Sequence, residues 1–236
     1  MSSDAARKAI FGRLKETLDR VHNPTVRLSG ADQRMHEAPL NIIPKRGRAE
    51  GKARTELFVS EAETASAEVY RVSTLDKVVG VVQQLVAAMG GVSVKVAPGA
   101  QLKALDWSGL DVAYGRAVGD DQISVSWALG AVAETGTLVL ASSPESPTTL
   151  NFLPDVHVVV LCEEDIAPNY EEVWSRLRIE AKTRTTDTPV LPRTVNWITG
   201  PSRTADIEQT LLLGAHGPRK LVIVLIDEQN PQVTTA

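Results

Sequence analysis

The sequence holds a single cysteine, Cys162, and this scarcity excludes several kinds of site. One thiol cannot form an internal disulfide. It also supplies only one of the roughly four ligands that a structural zinc ion or an iron–sulfur cluster needs. We therefore expect this chain to bind no metal and no cofactor of its own, so that any redox centre would belong to another protein.

Excess positive charge and long hydrophobic runs are also lacking. Lys plus Arg number 25 against 29 Asp plus Glu, a net charge of −4, which is not the electrostatic footprint of a DNA- or RNA-binding protein. No segment approaches the roughly 18 consecutive apolar residues of a membrane span. Residues 1–20 carry charges throughout, unlike the apolar core of a signal peptide. We expect no nucleic-acid partner, no membrane span and a cytoplasmic location.

Aromatic residues make up only 4% of the 236 residues, so the core must be filled largely by Val, Leu, Ile and Ala. Two runs, Val156–Cys162 and 221–226, are apolar at nearly every position instead of alternating with polar residues. Such strands are covered on both faces, as in a parallel sheet between helices. Strand and helix patterns alternate along the chain, which predicts an α/β fold with crossover connections.

The spacing of apolar residues predicts the individual elements. Helices are expected at 4–21, 75–89, around 170–177, and in a short stretch that carries Ile207 and Leu211 and ends at Gly214. Strands are expected at 92–96, 123–125, 137–140 and 195–199, besides the two buried runs.

The segment 22–56 sustains no period. Between positions 45 and 54, five basic residues surround a single acid, Glu50. Such a segment is typical of a solvated arm, or of one that becomes ordered on a partner. We therefore divide the chain into an N-terminal helix with a partly irregular basic arm, 1–56, and an α/β domain, 57–236.

The first candidate site lies where the chain turns into the strand at 137–140. Gly136 permits close backbone approach or a positive φ, and Thr135 and Thr137 offer hydroxyl groups. Glu134 could serve as a catalytic base, a nucleophile or an acceptor that orients a ligand. The same residues could equally form an ordinary turn with an exposed glutamate.

The second candidate site is the predicted turn from a strand into a helix at 198–208. A helix N-terminus with free N–H groups is a ready anion site. We expect a carboxylate or phosphate to bind at Gly200, Ser202, Arg203 and Thr204. The alternative is a well-capped helix whose own acids, Asp206 and Glu208, complement its dipole.

Two histidines accompany these segments. His216 follows the end of the predicted short helix, which would place it roughly 15 Å from Arg203 along the helix. The two could then share a small ligand only if the chain folds back or a second subunit intervenes. His216 is either a partner of the helix dipole or a catalytic group. His157, at the start of a buried strand, is either a satisfied core or rim histidine or a proton shuttle.

Four segments in this order resemble the LUD-domain family. They are AETGTLVL at 133–140, LPDVH at 153–157, ITGPSRTADIE at 198–208 and GAHGPR at 214–219, and the resemblance covers about residues 57–227. It implies a three-layer α/β/α fold with a mainly parallel sheet, of the class of sugar-phosphate isomerases and CoA transferases.

The resemblance also implies a role in oxidising L-lactate to pyruvate beside two iron–sulfur proteins, which would hold the clusters. Some members of the wider fold class form a thioester with CoA on a glutamate, and Glu134 is comparable to it only by analogy of fold. Family members commonly have an arginine before the Leu-Pro turn, where this chain has Thr148. Arg203 would then carry more of the carboxylate binding.

Three functional hypotheses follow. The first is a non-redox subunit of a lactate-oxidising system that binds a small carboxylate, iron–sulfur partner proteins, or both. The second is a stand-alone enzyme acting on CoA thioesters or phosphorylated small molecules through Glu134. The third is a pure assembly protein. The sequence leaves open whether the chain is itself a catalyst.

Overall fold

The computed structural model describes residues 3–21, 42–184, 191–204, 212–214 and 216–226. The chain divides into two compact units, Met1–Ile42 and Ile43–Ala236. In the first unit, helix α1 spans Ser3–Val21, which confirms the predicted helix. Its apolar side chains stand exposed, among them Ile10 and Phe11, each 60% exposed.

Helix α2, Gly51–Thr64, runs through the position where the predicted arm ends. The expectation of irregular chain is therefore wrong for residues 51–56, and the compact unit begins at Ile43 instead of residue 57. One face of α2 buries Phe58, Val59 and Ala62 together with Thr55. Thr55 donates a hydrogen bond to Glu163 Oε1 at 2.6 Å. A buried threonine at the first position of this face made the apolar pattern too weak to recognise.

Six parallel strands form the main sheet of the second unit. Their spatial order is β1 (Glu68–Val72), β12 (Lys220–Ile226), β7 (Val156–Cys162), β4 (Ile123–Trp127), β2 (Val94–Val96) and β3 (Val112–Tyr114). The two apolar runs are neighbours near the centre, where Val222 pairs with Val158. The predicted α/β fold with a mainly parallel sheet is confirmed.

Both faces of this sheet are covered, which explains the continuous apolar runs. On one face, Val158 and Val224 pack in the same cluster as Val78 and Val82 of helix α3, Lys77–Ala88. A short helix α4, Ala100–Lys103, follows β2. On the other face, Val159, Leu161, Ile223 and Leu225 share a cluster with Phe58 of α2 and with a second sheet.

The second sheet has four strands in the order β8 (Ile166–Ala167), β5 (Gly130–Val132), β6 (Thr137–Ala141) and β9 (Val195–Ile198). Its far side packs against helix α5, Tyr170–Arg184, through Val173 and Leu177. The strand runs at 137–140 and 195–199 were predicted, but their separation into a second sheet was not. Their local pattern shows burial without showing which strands pair.

A two-stranded ladder replaces the ends of the predicted short helix. Strand β10, Arg203–Thr204, pairs antiparallel with β11, Leu212–Leu213. Ile207 and Leu211 lie outside the described residues. The prediction of a helix that starts near Arg203 and ends at Gly214 is wrong at both ends. Gly214 does have a positive φ, of 79°, but it follows a strand instead of stopping a helix.

Among the described residues, no helix is both long and apolar enough to cross a membrane.

Candidate functional site

A cavity of about 270 Å³ lies at the amino ends of β7 and β12, on the side of the main sheet that faces β9. The loop after β9 and the segment before β12 form much of its wall. Its lining consists of Asn151, Phe152, His157, residues 197–203, residues 216–218 and Leu221. The cavity therefore contains most of the second candidate site.

Chain reversal at β10 and β11 brings His216 to the same cavity as Ser202 and Arg203. Ser202 N–H donates to Pro218 O at 2.8 Å, and Gly214 N–H donates to Ser202 O at 2.9 Å. The expected separation of about 15 Å along a helix does not apply, because β10 and β11 pair side by side. Arg203 and His216 can therefore contact one small ligand.

Positive charge lies at the rim of the cavity. Arg203 is exposed, and within the described ranges no carboxylate lies within ion-pair distance of its guanidinium. Arg219, by contrast, pairs with Asp155 (Nε to Oδ1, 3.4 Å). Phe152 and Trp197 add apolar surface to the wall. A guanidinium beside apolar walls suits a small organic anion.

The inner wall of the cavity includes His157, which is completely buried. Its Nε2 lies 2.9 Å from Ser126 Oγ. Desolvation lowers the pKa of His157 to about 3, so the imidazole is neutral at physiological pH. Of the two interpretations of this residue, burial and the Ser126 contact match the core histidine. Its ring forms part of the inner wall of the cavity.

Glu134 is not among the residues that line the cavity. Its backbone carbonyl accepts a hydrogen bond from Arg46 Nη2. Its carboxylate Oε1 accepts from Tyr170 N–H at 3.4 Å, at the start of α5. This nearly buried side chain therefore helps join the turn before β6 to a helix N-terminus.

The threonines predicted beside Glu134 form a hydroxyl network. Thr137 Oγ1 lies 2.7 Å from Thr135 Oγ1 and 2.7 Å from Thr199 Oγ1, and 3.0 Å from the Tyr170 hydroxyl. Thr199 lines the cavity. The first candidate site is thus connected to the second through Thr199 instead of facing Arg203 directly.

The glycines of both candidate sites serve close packing. Gly136 has φ +62°, and a Cβ there would stand 2.2 Å from Ala62 N of α2. Gly200 has φ +70°, and a Cβ there would stand 2.0 Å from Ala65 O. Gly200 also lines the cavity. Thr204 belongs to β10, and its side chain lies outside the described part of the chain.

Asn169 fixes the N-terminus of α5 next to Glu134. Its Oδ1 accepts from Glu172 N–H at 3.0 Å, and its Nδ2 donates to Gly47 O at 2.8 Å. Asn169→Ala should destabilise the unit by about 1–2 kcal/mol, because it removes a cap and leaves a buried carbonyl unpaired. Asn169→Ser keeps the cap oxygen and should lose about half as much. Urea unfolding measures both, and equal stability of Asn169→Ala and wild type would contradict the assignment.

Cys162, Glu164 and Asp165 lie at the carboxyl end of β7, and each places a potential ligand atom within 4.8 Å of the others. Burial, and secondly the charges of Asp165 and Glu164, raise the pKa of the thiol to about 11. The thiol is therefore protonated at neutral pH and is a poor nucleophile.

Several cavity residues were missed by the sequence analysis, notably Asn151, Phe152 and Trp197. Phe152 is 42% exposed and follows a polar loop. The sequence signal that could have identified Phe152 is the polar, proline-containing loop at 142–149, which is followed directly by apolar residues.

The LUD domain family model matches residues 114–226, a range that includes every described residue lining the cavity. Lactate utilization protein C of Bacillus licheniformis is 31% identical over 107 residues, which cover 45% of this chain and 43% of that protein. Lactate utilization protein C of Anoxybacillus flavithermus is 29% identical over 160 residues, which cover 62% of this chain and 69% of that protein.

An uncharacterized protein of Neisseria meningitidis is 45% identical over 95 residues, 40% of this chain and 38% of that protein. The chain thus covers only about two fifths of the length of the Neisseria meningitidis and Bacillus licheniformis relatives. The crystal structure of a DUF162 family protein from Deinococcus radiodurans has a TM-score of 0.53 at 20% identity, covering 75% of this chain and 99% of that one. That likeness shows the fold.

Proposed function

Because the chain belongs to the LUD-domain family, we propose that it acts in L-lactate utilisation as a cytoplasmic, non-redox subunit. In this role it binds a small carboxylate and works beside iron–sulfur proteins that carry the electrons. Relatives named lactate utilization protein C support the process. The single cysteine of the sequence supports the assignment of the clusters to partners.

The observation that carries the proposal is the cavity that joins Arg203, Ser202 and His216. A guanidinium presents paired N–H donors that match the two oxygens of a carboxylate. The volume, about 270 Å³, falls just below the roughly 300–1,000 Å³ typical of pockets for drug-sized ligands. A three-carbon acid is small enough to enter a cavity of this volume.

Arg203→Ala should weaken binding of L-lactate or pyruvate about 10- to 150-fold, since one charged hydrogen-bonding group worth about 1.5–3 kcal/mol is lost. Calorimetric titration of the full chain measures the effect. The matched control is Arg219→Ala, because Arg219 is close in sequence, pairs with Asp155 and does not line the cavity among the described residues. Equal affinity of wild type and Arg203→Ala would remove the carboxylate site from the proposal.

The role in the larger system is tested by lactate-dependent dye reduction with the two iron–sulfur partners, with and without this chain. We expect activity to require the chain and to fall with Arg203→Ala while the complex stays assembled. If the chain is required but Arg203→Ala has full activity, an assembly role replaces the binding role. If the chain makes no difference, the lactate role is wrong.

The thioester alternative receives less support from the geometry. Glu134 is 8% exposed and bonded to Tyr170 N–H, and it lies outside the lining of the cavity. A nucleophile must reach its substrate, and this carboxylate instead joins two structural elements.

A further inference from the structure

We propose that the basic segment 45–54, which the proposed function leaves unused, is a docking surface for an acidic segment of a partner protein. Five cations and one acid, Glu50, give these ten residues a net charge of +4, whereas the whole chain carries −4. The docking surface shares no residue with the cavity that Arg203 borders. The inference therefore concerns the recognition of a protein and does not depend on the ligand of the cavity.

The first observation is that the α/β unit itself holds this segment in place. The segment begins with a short 3₁₀ turn, in which Gly47 is buried. Asn169 Nδ2 donates a hydrogen bond to Gly47 O at 2.8 Å, and Arg46 Nη2 donates to Glu134 O. The second half of the segment belongs to α2. The cations are therefore presented on a fixed surface, which reduces the entropy lost when a partner binds.

The second observation is that this positive charge faces solvent with little compensation. Lys45, Arg48 and Lys52 are exposed, and within the described ranges no carboxylate lies within ion-pair distance of any of the three. Arg46 forms a long ion pair with Glu61, at 3.5 Å, and half of its side chain is exposed. Elsewhere on the unit, three exposed cations have carboxylate partners at 2.5–2.8 Å. The cations of the docking surface are thus free to contact carboxylates of another protein.

The third observation is a groove that combines these cations with an apolar floor. The groove has a volume of about 600 Å³ and is lined by Lys45, Arg46, Arg48, Ala49, Ala53 and Leu57. The cations come from the 3₁₀ turn, whereas Ala53 and Leu57 lie one turn apart on α2. A polypeptide segment that carries carboxylates beside an apolar side chain would contact both parts at once.

Other anionic occupants fit the groove less well. The residues outside the docking surface carry a net charge of −8, which opposes the long-range attraction on which nucleic-acid binding depends. None of the described residues that line the groove is aromatic, so nucleic-acid bases would find no stacking partner there. A single small anion would contact the cations and leave the apolar floor uncovered. An acidic polypeptide is the occupant that matches both the charge and the apolar floor.

The test is fluorescence anisotropy of a labelled synthetic peptide titrated with the full chain. The peptide places Leu at helical spacing among Glu residues. Lys45→Glu combined with Arg48→Glu should weaken its binding about 10-fold, because two attractions become repulsions. Lys103→Glu combined with Arg116→Glu is the matched control, since both residues are exposed and the net charge falls equally. The control should bind as tightly as wild type, and thermal unfolding shows whether each variant is folded.

Measurements on the wild-type chain do not depend on a variant that folds. Its affinity for the peptide should fall as salt is added, and it should also fall when every Leu of the peptide is replaced by Ala. Equal or tighter binding of a single-stranded oligonucleotide of the same charge would show a general polyanion surface. A dimer of this chain that dissociates in the Lys45→Glu, Arg48→Glu variant, measured by sedimentation, would show a contact between copies. Either result, or a wild-type chain that does not bind the peptide, would overturn the inference.

Discussion

Gly136→Ala should destabilise the α/β unit by about 2–5 kcal/mol, combining left-handed strain with overpacking. The backbone at Gly136 has φ +62°, and a Cβ would stand 2.2 Å from Ala62 N and 2.5 Å from Glu61 C. Those atoms belong to the backbone of α2, which cannot move away like a flexible side chain. The turn before β6 would therefore separate from the helix that covers the main sheet.

Gly109→Ala is the matched control for this prediction. Gly109 has φ +83°, and a Cβ there would meet no heavy atom within 4 Å. It should lose only the strain of the left-handed backbone, about 1–2 kcal/mol. Urea midpoints followed by circular dichroism compare the two variants. If Gly136→Ala is no less stable than Gly109→Ala, the close approach of α2 contributes nothing.

Acid should destabilise the unit through His157. The pKa of His157 is about 3 in the folded chain, against an ordinary value of 6.5, so between these values the unfolded chain binds the extra proton. Stability from this group is complete above pH 6.5 and is lost as the pH falls toward 3. Between pH 8 and pH 4 the loss amounts to about 3 kcal/mol.

His157→Phe isolates this contribution, because every other titrating group is shared with wild type. The free energy of unfolding, measured in urea at several pH values, should fall less steeply for the variant between pH 6.5 and pH 4. Parallel curves for the two proteins would show that His157 has the same pKa folded and unfolded. The measurement therefore checks that the buried imidazole is neutral in the folded chain.

The candidate site shows what local patterns reveal and what they miss. Gly200, Ser202 and Arg203 were selected because a turn, a hydroxyl and a cation follow one another in the sequence. Their convergence with His216 was missed, because a helix predicted between them would have held them apart. The antiparallel pairing of Arg203 with Leu213 is a contact between residues ten apart, and periodicity contains no information about it.

The sequence by itself determined the buried parallel strands at 156–162 and 221–226, since continuous apolar runs require cover on both faces. It also carried the resemblance to the LUD-domain family, through motifs in a recognisable order. Only the tertiary structure decided that Thr55 completes a buried face of α2, that Glu134 joins α5 instead of facing the cavity, and that His157 borders the cavity. The physical reason is that composition and periodicity report whether a residue is buried, whereas hydrogen-bond partners and cavity walls come from segments distant along the chain.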